Sequence, residues 1–399
     1  MQQTPRTSRS HTAGPDLTAG PGQSRNIVIL VLFLLAIGGV VAMNWLRSSD
    51  AIQPINHPPL KPSLADEFRG MSMQLWSGSP SHPYRKYIRQ IATTRANTIS
   101  LVPHGYQENA TSSSVFPDVR HTPSDEHFVR LIRYARSQGL RVVLMPIVLL
   151  ENPRSGEWRG KIKPDDWEHW WESYTNFILR YARIAEEGGA EVFIIGSELV
   201  RTEGKEAQWR RLIHEVRKVY DGRLSYSANW DHYRQIAWWD AVDIVGLTTY
   251  FDLTDKGKNP PTLENLTAAW GEIRREIVTW QKLVNRPILF TEVGWPSQAT
   301  GAQQPWNYYG AEDKPDHALQ ARCFEAFFRT WFQQPEMTGY LLWEWRNNPT
   351  QEITDPDAWK RDVGYIPAGK PAMDIIRKYN AMPPLDKPQP TSQPTSGPG

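Results

Sequence analysis

Arg141-Val-Val-Leu-Met-Pro-Ile-Val148 follows one basic residue with seven that carry no charge and no polar side chain. A strand with one wet face alternates apolar and polar residues, whereas a continuous apolar run marks a parallel strand covered on both faces. Similar runs recur, and the expected strands lie at 71–75, 98–102, 140–147, 192–195, 224–228, 244–249, 288–290 and 340–343. Helical stripes separate them: Phe128, Leu131, Ile132 and Ala135 follow i, i+3, i+4, i+7, as do Trp209, Leu212, Ile213 and Val216. Strand and helix alternating eight times over about 300 residues predicts a (β/α)8 barrel. A doubly wound open sheet is the alternative. Against it, no Gly-x-Gly-x-x-Gly and no Gly-x-x-x-x-Gly-Lys-Ser/Thr follows any expected strand.

In such a barrel the chemistry sits at the carboxyl ends of the strands. Two carboxylates stand out there. Glu198 closes Val192-Phe-Ile-Ile-Gly-Ser197, and Glu292 closes Pro287-Ile-Leu-Phe-Thr291, the fourth and seventh strands. These strands lie almost opposite each other, so their side chains can meet over the mouth. Hydrolysis of a glycosidic bond needs such a pair: one carboxyl protonated to donate to the leaving oxygen, the other ionised to attack the anomeric carbon. A separation of about 5 to 5.5 Å gives retention. The competing interpretation is that both are salt-bridged plugs of the barrel.

Ile195-Gly-Ser-Glu198 and Phe290-Thr-Glu292-Val-Gly-Trp295 resemble the retaining β-glycosidases of clan A. Within the clan the chain is most similar to glycoside hydrolase family 113, the β-mannanase family, and to related barrel domains of some phage-like tail proteins. Trp239 to Tyr250 around the sixth strand and Gly339-Tyr-Leu-Leu-Trp-Glu-Trp345 on the eighth support this. The resemblance implies that Glu198 is the general acid/base and Glu292 the nucleophile, and that Trp343 floors a sugar subsite. Two positions depart from the clan. Ser197 stands where many members have the Asn that binds the sugar 2-hydroxyl, and Ser100 stands where many have an Arg near the nucleophile. Tyr250 is then a candidate donor to Glu292. Further substrate-binding candidates at strand ends are Trp76, His104, Asn229, Trp230 and Trp295, with Trp306 on the long segment 298–315 as a lip of the cleft. Each also has a plain packing alternative. Glu344 alternates with Trp343 and is expected to point away from the barrel interior if the strand persists.

Composition narrows the partners. Lys+Arg 45 against Asp+Glu 43 gives a formal charge of +2, so a nucleic-acid partner is not expected. Eighteen tryptophans are a large excess, and they divide between packing and surfaces that stack on sugar faces. Trp76, Trp158, Trp230, Trp295, Trp306, Trp343, Trp345 and Trp359 are expected on the catalytic face. The single cysteine, Cys323, allows no intrachain disulfide and no Cys-based zinc cluster. No metal or cofactor is expected, and neither His-Glu-x-x-His nor Gly-x-Ser-x-Gly occurs.

Residues 27–46 are long and apolar enough to span a bilayer, with a cleavable signal peptide as the competing interpretation. Arg6, Arg9 and Arg25 against Asp16 place residues 1–26 in the cytoplasm as a disordered leader. A Pro-rich stem over 47–65, a catalytic domain over 66–380 outside the cytoplasm, and a disordered Pro-rich tail over 381–399 complete the expected organisation. The expectation is a membrane-anchored monomer cleaving a β-linked glycan, with mannan-type polysaccharide favoured by analogy. The alternatives are transglycosylation by the same pair and a barrel that binds glycan without cutting it.

Overall fold

The computed structural model describes residues 67–254, 261–307, 314–345 and 357–384. The expected leader, anchor and stem, and most of the tail, lie outside the described residues. Among the described residues no helix is long and apolar enough to cross a membrane.

Among the described residues ten strands form: β1 (Phe68–Gln74), β2 (Thr98–Val102), β3 (His104–Gln107), β4 (Arg141–Leu144), β5 (Ile147–Leu150), β6 (Val192–Ser197), β7 (Arg223–Ala228), β8 (Ile244–Thr248), β9 (Ile288–Val293) and β10 (Met337–Leu342). Eight of them close a parallel barrel in the order β1, β2, β4, β6, β7, β8, β9, β10, with β10 pairing back onto β1. This is the single (β/α)8 barrel that the apolar runs predict. The expected strand at 140–147 is in fact two. Pro146 and Pro103 have no N–H to give to a ladder, so β4 and β2 stop there. Their continuations, β5 and β3, pair with each other as a separate parallel sheet.

The outer layer consists of α1 (Tyr84–Thr93), α2 (Asp125–Ser137), α3 (Trp167–Gly188), α4 (Val200–Glu203), α5 (Glu206–Arg217), α6 (Leu263–Val284), α7 (His317–Trp331) and α8 (Ala372–Asn380). Both predicted stripes turn inward: α2 buries Phe128, Leu131, Ile132 and Ala135, and α5 buries Trp209, Leu212, Ile213 and Val216. The β7–β8 connection departs from the alternation. It carries two 3-10 turns, Tyr233–Gln235 and Trp239–Ala241, in place of a regular helix, and Trp238 and Trp239 pack from there.

Inside the barrel Phe68, Val143, Val192, Ile194, Ile244, Leu289 and Leu341 pack together, with Val102 and Met145 at the carboxyl ends of β2 and β4. Above them the lining turns polar: Ser225, Ser227 and Thr291 are fully buried, with the Ser227 and Thr291 hydroxyls 2.7 Å apart. Gly246 keeps this layer closed, because a Cβ there would stand 2.4 Å from the Tyr226 carbonyl oxygen. The regular pairing shifts in β6 between Ile194 and Ser197, and in β9 beside Glu292. Such bulges re-aim the side chains that follow them.

Trp209 ties three elements together. Its ring stacks on Trp238 at 4.8 Å and meets Tyr226 edge-on, and its indole N–H donates to the Thr202 carbonyl at 2.9 Å. Replacing a fully buried indole by methyl should cost roughly 3–5 kcal/mol. Trp209→Ala should therefore lower the denaturation midpoint strongly, and a midpoint within error of the parent would contradict this packing.

Candidate active site

Glu198 sits just past β6 with φ +53°, a left-handed conformation that is costly for a residue with a side chain. Three bonds hold it there. Its N–H donates to the Ser227 carbonyl at 2.8 Å, and the next N–H, of Leu199, donates to the Tyr226 hydroxyl at 2.9 Å. That hydroxyl in turn donates to Glu203 Oε1 at 2.7 Å. Burial pushes Glu203 up to about 7, although the Tyr226 bond opposes this. The backbone beneath Glu198 is thus fixed by a chain of polar contacts reaching into α4.

Glu292 lies inside β9, 2% exposed. Tyr250, just past β8, donates its hydroxyl to Glu292 Oε2 at 2.8 Å. Oε1 is buried and accepts no hydrogen bond from the described residues. Burial raises Glu292 well above the usual carboxylate range, and the nearby charge of Glu198 raises it further; Arg159 and the Tyr250 bond pull it back. Glu198 and Glu292 therefore share one electrostatic site, as strands facing each other across a barrel require.

Arg159 is the residue that the sequence reading missed. Its Nη2 donates to Glu198 Oε2 at 2.7 Å from the 3-10 turn Arg159–Lys161. The one available signal was the long connection between β5 and α3, since connections of that length at the active face are usually functional. Glu344 also departs from expectation. Because β10 ends at Leu342, alternation no longer governs it, and its carboxylate accepts from Gln74 Nε2 at 2.6 Å on the barrel side. Its charge acts on Glu292.

The remaining candidates divide by burial. Trp76 is 39% exposed and Trp306 47%, so both offer a ring face to solvent. Trp343 is partly buried against the residues lining the barrel. Asn229 and Trp230 are partly buried at the end of β7; Asn229 donates to Asp231 at 2.7 Å, and Trp230 packs edge-on against Phe251. Ser197 is 1% exposed, with its hydroxyl unpaired. His104 is fully buried beneath Trp76 and meets no solvent. Trp295 is a correction: it is fully buried outside the barrel, edge-on to Phe324 and Trp270, because Val293 and the residues after it turn toward α7 and α6. Trp345 likewise belongs to the core, with its N–H on Gln90. Among the described residues no group of three or more His, Cys, Asp or Glu side chains is placed to hold a metal ion.

Tyr250 stabilises the Glu292 anion, so removing its hydroxyl must raise the pH at which Glu292 ionises. In Tyr250→Phe a 13C-detected titration of the labelled carboxyl should move to higher pH than in the parent. An unmoved or lowered midpoint would contradict the bond.

The profile of Glycoside Hydrolase Family 113 matches residues 79–370. The fold is similar to the family 113 β-mannanase from Alicyclobacillus acidocaldarius solved in complex with ManMIm. The two are 28% identical with a TM-score of 0.69, over 79% of this chain and 97% of that one. A complex of a family 113 β-1,4-mannanase gives 28% identity and 0.68, over 79% and 98%. A β-glucuronidase from Faecalibacterium prausnitzii, 12% identical with a TM-score of 0.53 over 80% of this chain and 50% of that one, shares the fold. No curated protein sequence matches the chain. The match takes in seven of the eight barrel strands, β2 to β10, with both glutamate-bearing strands among them, and the chain belongs to glycoside hydrolase family 113.

Proposed function

We propose that this glycoside hydrolase cleaves β-1,4-linked mannan by double displacement, with Glu292 as nucleophile and Glu198 as acid/base. The observation that carries this is the buried Glu292 carboxylate: Tyr250 holds one oxygen, and the described residues give the other no hydrogen bond, with the charge of Glu198 acting on the group. The donated bond from Tyr250 favours the anion that attack requires. Two carboxylates that repel each other hold a shared proton, and double displacement begins from that charge state. Since the charge of Glu198 is one of the causes raising Glu292, a proton on Glu198 lifts that penalty and frees Glu292 to attack. As Glu292 attacks the anomeric carbon, Glu198 gives its proton to the departing glycosidic oxygen; Glu198 then takes a proton from a water whose oxygen attacks the same carbon and releases the Glu292 carboxylate.

Arg159 stands on the oxygen of Glu198 that faces the leaving group in this reading. Productive binding exchanges that ion pair for the glycosidic oxygen. The mannan preference follows the two family 113 β-mannanases, which cover nearly their whole length with this chain. Exposed Trp76 and Trp306, with the partly buried Trp343 at the end of β10, would supply ring faces for sugars. We further propose that residues 27–46 tether the enzyme to the membrane with the barrel outside the cytoplasm.

Glu292→Ala should lose reducing-end release from β-1,4-mannan by several orders of magnitude. Azide should then restore turnover with an α-glycosyl azide product. Glu198→Ala should keep activity only on aryl glycosides with good leaving groups. A fully active Glu292→Ala enzyme would refute the assignment. For the tether, the full chain should remain with membranes after a high-salt wash, and release by salt alone would contradict it.

A further inference from the structure

Gln74 is the last residue of β1 and faces into the barrel mouth, where its amide joins two side chains. Nε2 donates to Glu344 Oε2 at 2.6 Å, and Oε1 lies 3.0 Å from His104 Nε2. Burial pushes His104 down to about 3, so its ring is neutral; an amide oxygen only accepts, so Nε2 carries the ring proton. Every donor in the chain His104, Gln74, Glu344 therefore points the same way, toward the carboxylate. Glu344 is the terminal acceptor.

The carboxylate is held at a cost. Burial pushes Glu344 up to about 7, and its charge disfavours that of Glu292. Salt bridges neutralise many carboxylates of this fold, yet among the described residues the partner of Glu344 is a neutral amide. A negative group aimed beside the reacting carboxylate needs donors, and sugar hydroxyls are donors. Trp76 lays its ring on His104 at a centroid distance of 4.0 Å and keeps 39% of its surface exposed, while Trp343 precedes Glu344 on the barrel side. Two indoles and an acceptor carboxylate therefore stand at the ends of β1 and β10.

We propose that Glu344, braced by Gln74, is a sugar-binding residue that accepts hydrogen bonds from two neighbouring hydroxyls of the glycone whose anomeric carbon meets Glu292. The inference rests on the hydrolase reading above and adds to it the residue that reads the glycone. His104 acts through Gln74 and does not touch the sugar, which its complete burial requires. A hydroxyl bonded to a carboxylate is worth more than one bonded to a neutral acceptor, so a glycone lacking it leaves an acceptor unpaired in a partly buried site.

The test compares the full chain with Glu344→Gln and Gln74→Leu on an aryl β-mannoside and on its 3-deoxy and 4-deoxy analogues. Glu344→Gln preserves shape and an acceptor for Gln74, and an unchanged melting temperature shows that it folds. It should lower kcat/KM on the parent glycoside roughly 10- to 100-fold. On the analogue lacking a contacted hydroxyl the loss should shrink to within about threefold. Gln74→Leu should show the same pattern at smaller amplitude. If Glu344→Gln loses equally on all three substrates, Glu344 acts through the charge of Glu292 and the contact is overturned. A kcat/KM within twofold of the parent chain overturns it too. If the parent chain cleaves no β-glycoside at all, the hydrolase reading falls and this subsite falls with it.

Discussion

A carboxylate inside a closed barrel, beside a second carboxylate, is the constraint around which the site is arranged. Water would stabilise Glu292 as an anion, and the barrel removes the water. Tyr250 returns one hydrogen bond, and Arg159 supplies positive charge through Glu198. Everything that fixes these groups also fixes the chemistry: the bulge in β9 that turns Glu292 to the mouth, the shift in β6 before Glu198, and the Leu199–Tyr226–Glu203 chain that keeps Glu198 in its left-handed conformation. The lower barrel, filled by aliphatic side chains, supplies the rigidity that this geometry needs.

The eight barrel strands were legible because parallel strands buried on both faces must be apolar on both faces, and few other segments are. The run at Arg141 shows the limit. Pro146 lies in an apolar stretch that reads as one strand, yet its missing N–H divides the stretch into β4 and β5. The missing helix between β7 and β8 was equally invisible, since Trp238 and Trp239 pack as helical residues do while standing in 3-10 turns.

Within the site, Glu198, Glu292 and Tyr250 could be named because strand ends in a barrel converge by topology alone. Side chains in loops cannot be found that way: Arg159 reaches Glu198 from a turn whose position no periodicity fixes. Glu344 was misplaced by extending alternation past Leu342, where the ladder has already ended. Trp295 was misplaced in the opposite sense, since proximity to Glu292 in sequence says nothing about which side of the wall a side chain takes. The tryptophan excess accordingly leans further toward the core than composition implied, with six indoles fully buried.

Among the described residues the side-chain hydrogen bonds to the two glutamates come from Tyr250 and Arg159, and Glu344 acts on Glu292 through its charge. In the proposed double displacement Glu292 attacks the anomeric carbon and water then enters from the same face. Proton NMR of the first products released from a β-1,4-mannooligosaccharide, recorded before mutarotation, reads this directly. The account predicts that the β-anomer appears first. Initial appearance of the α-anomer would contradict it.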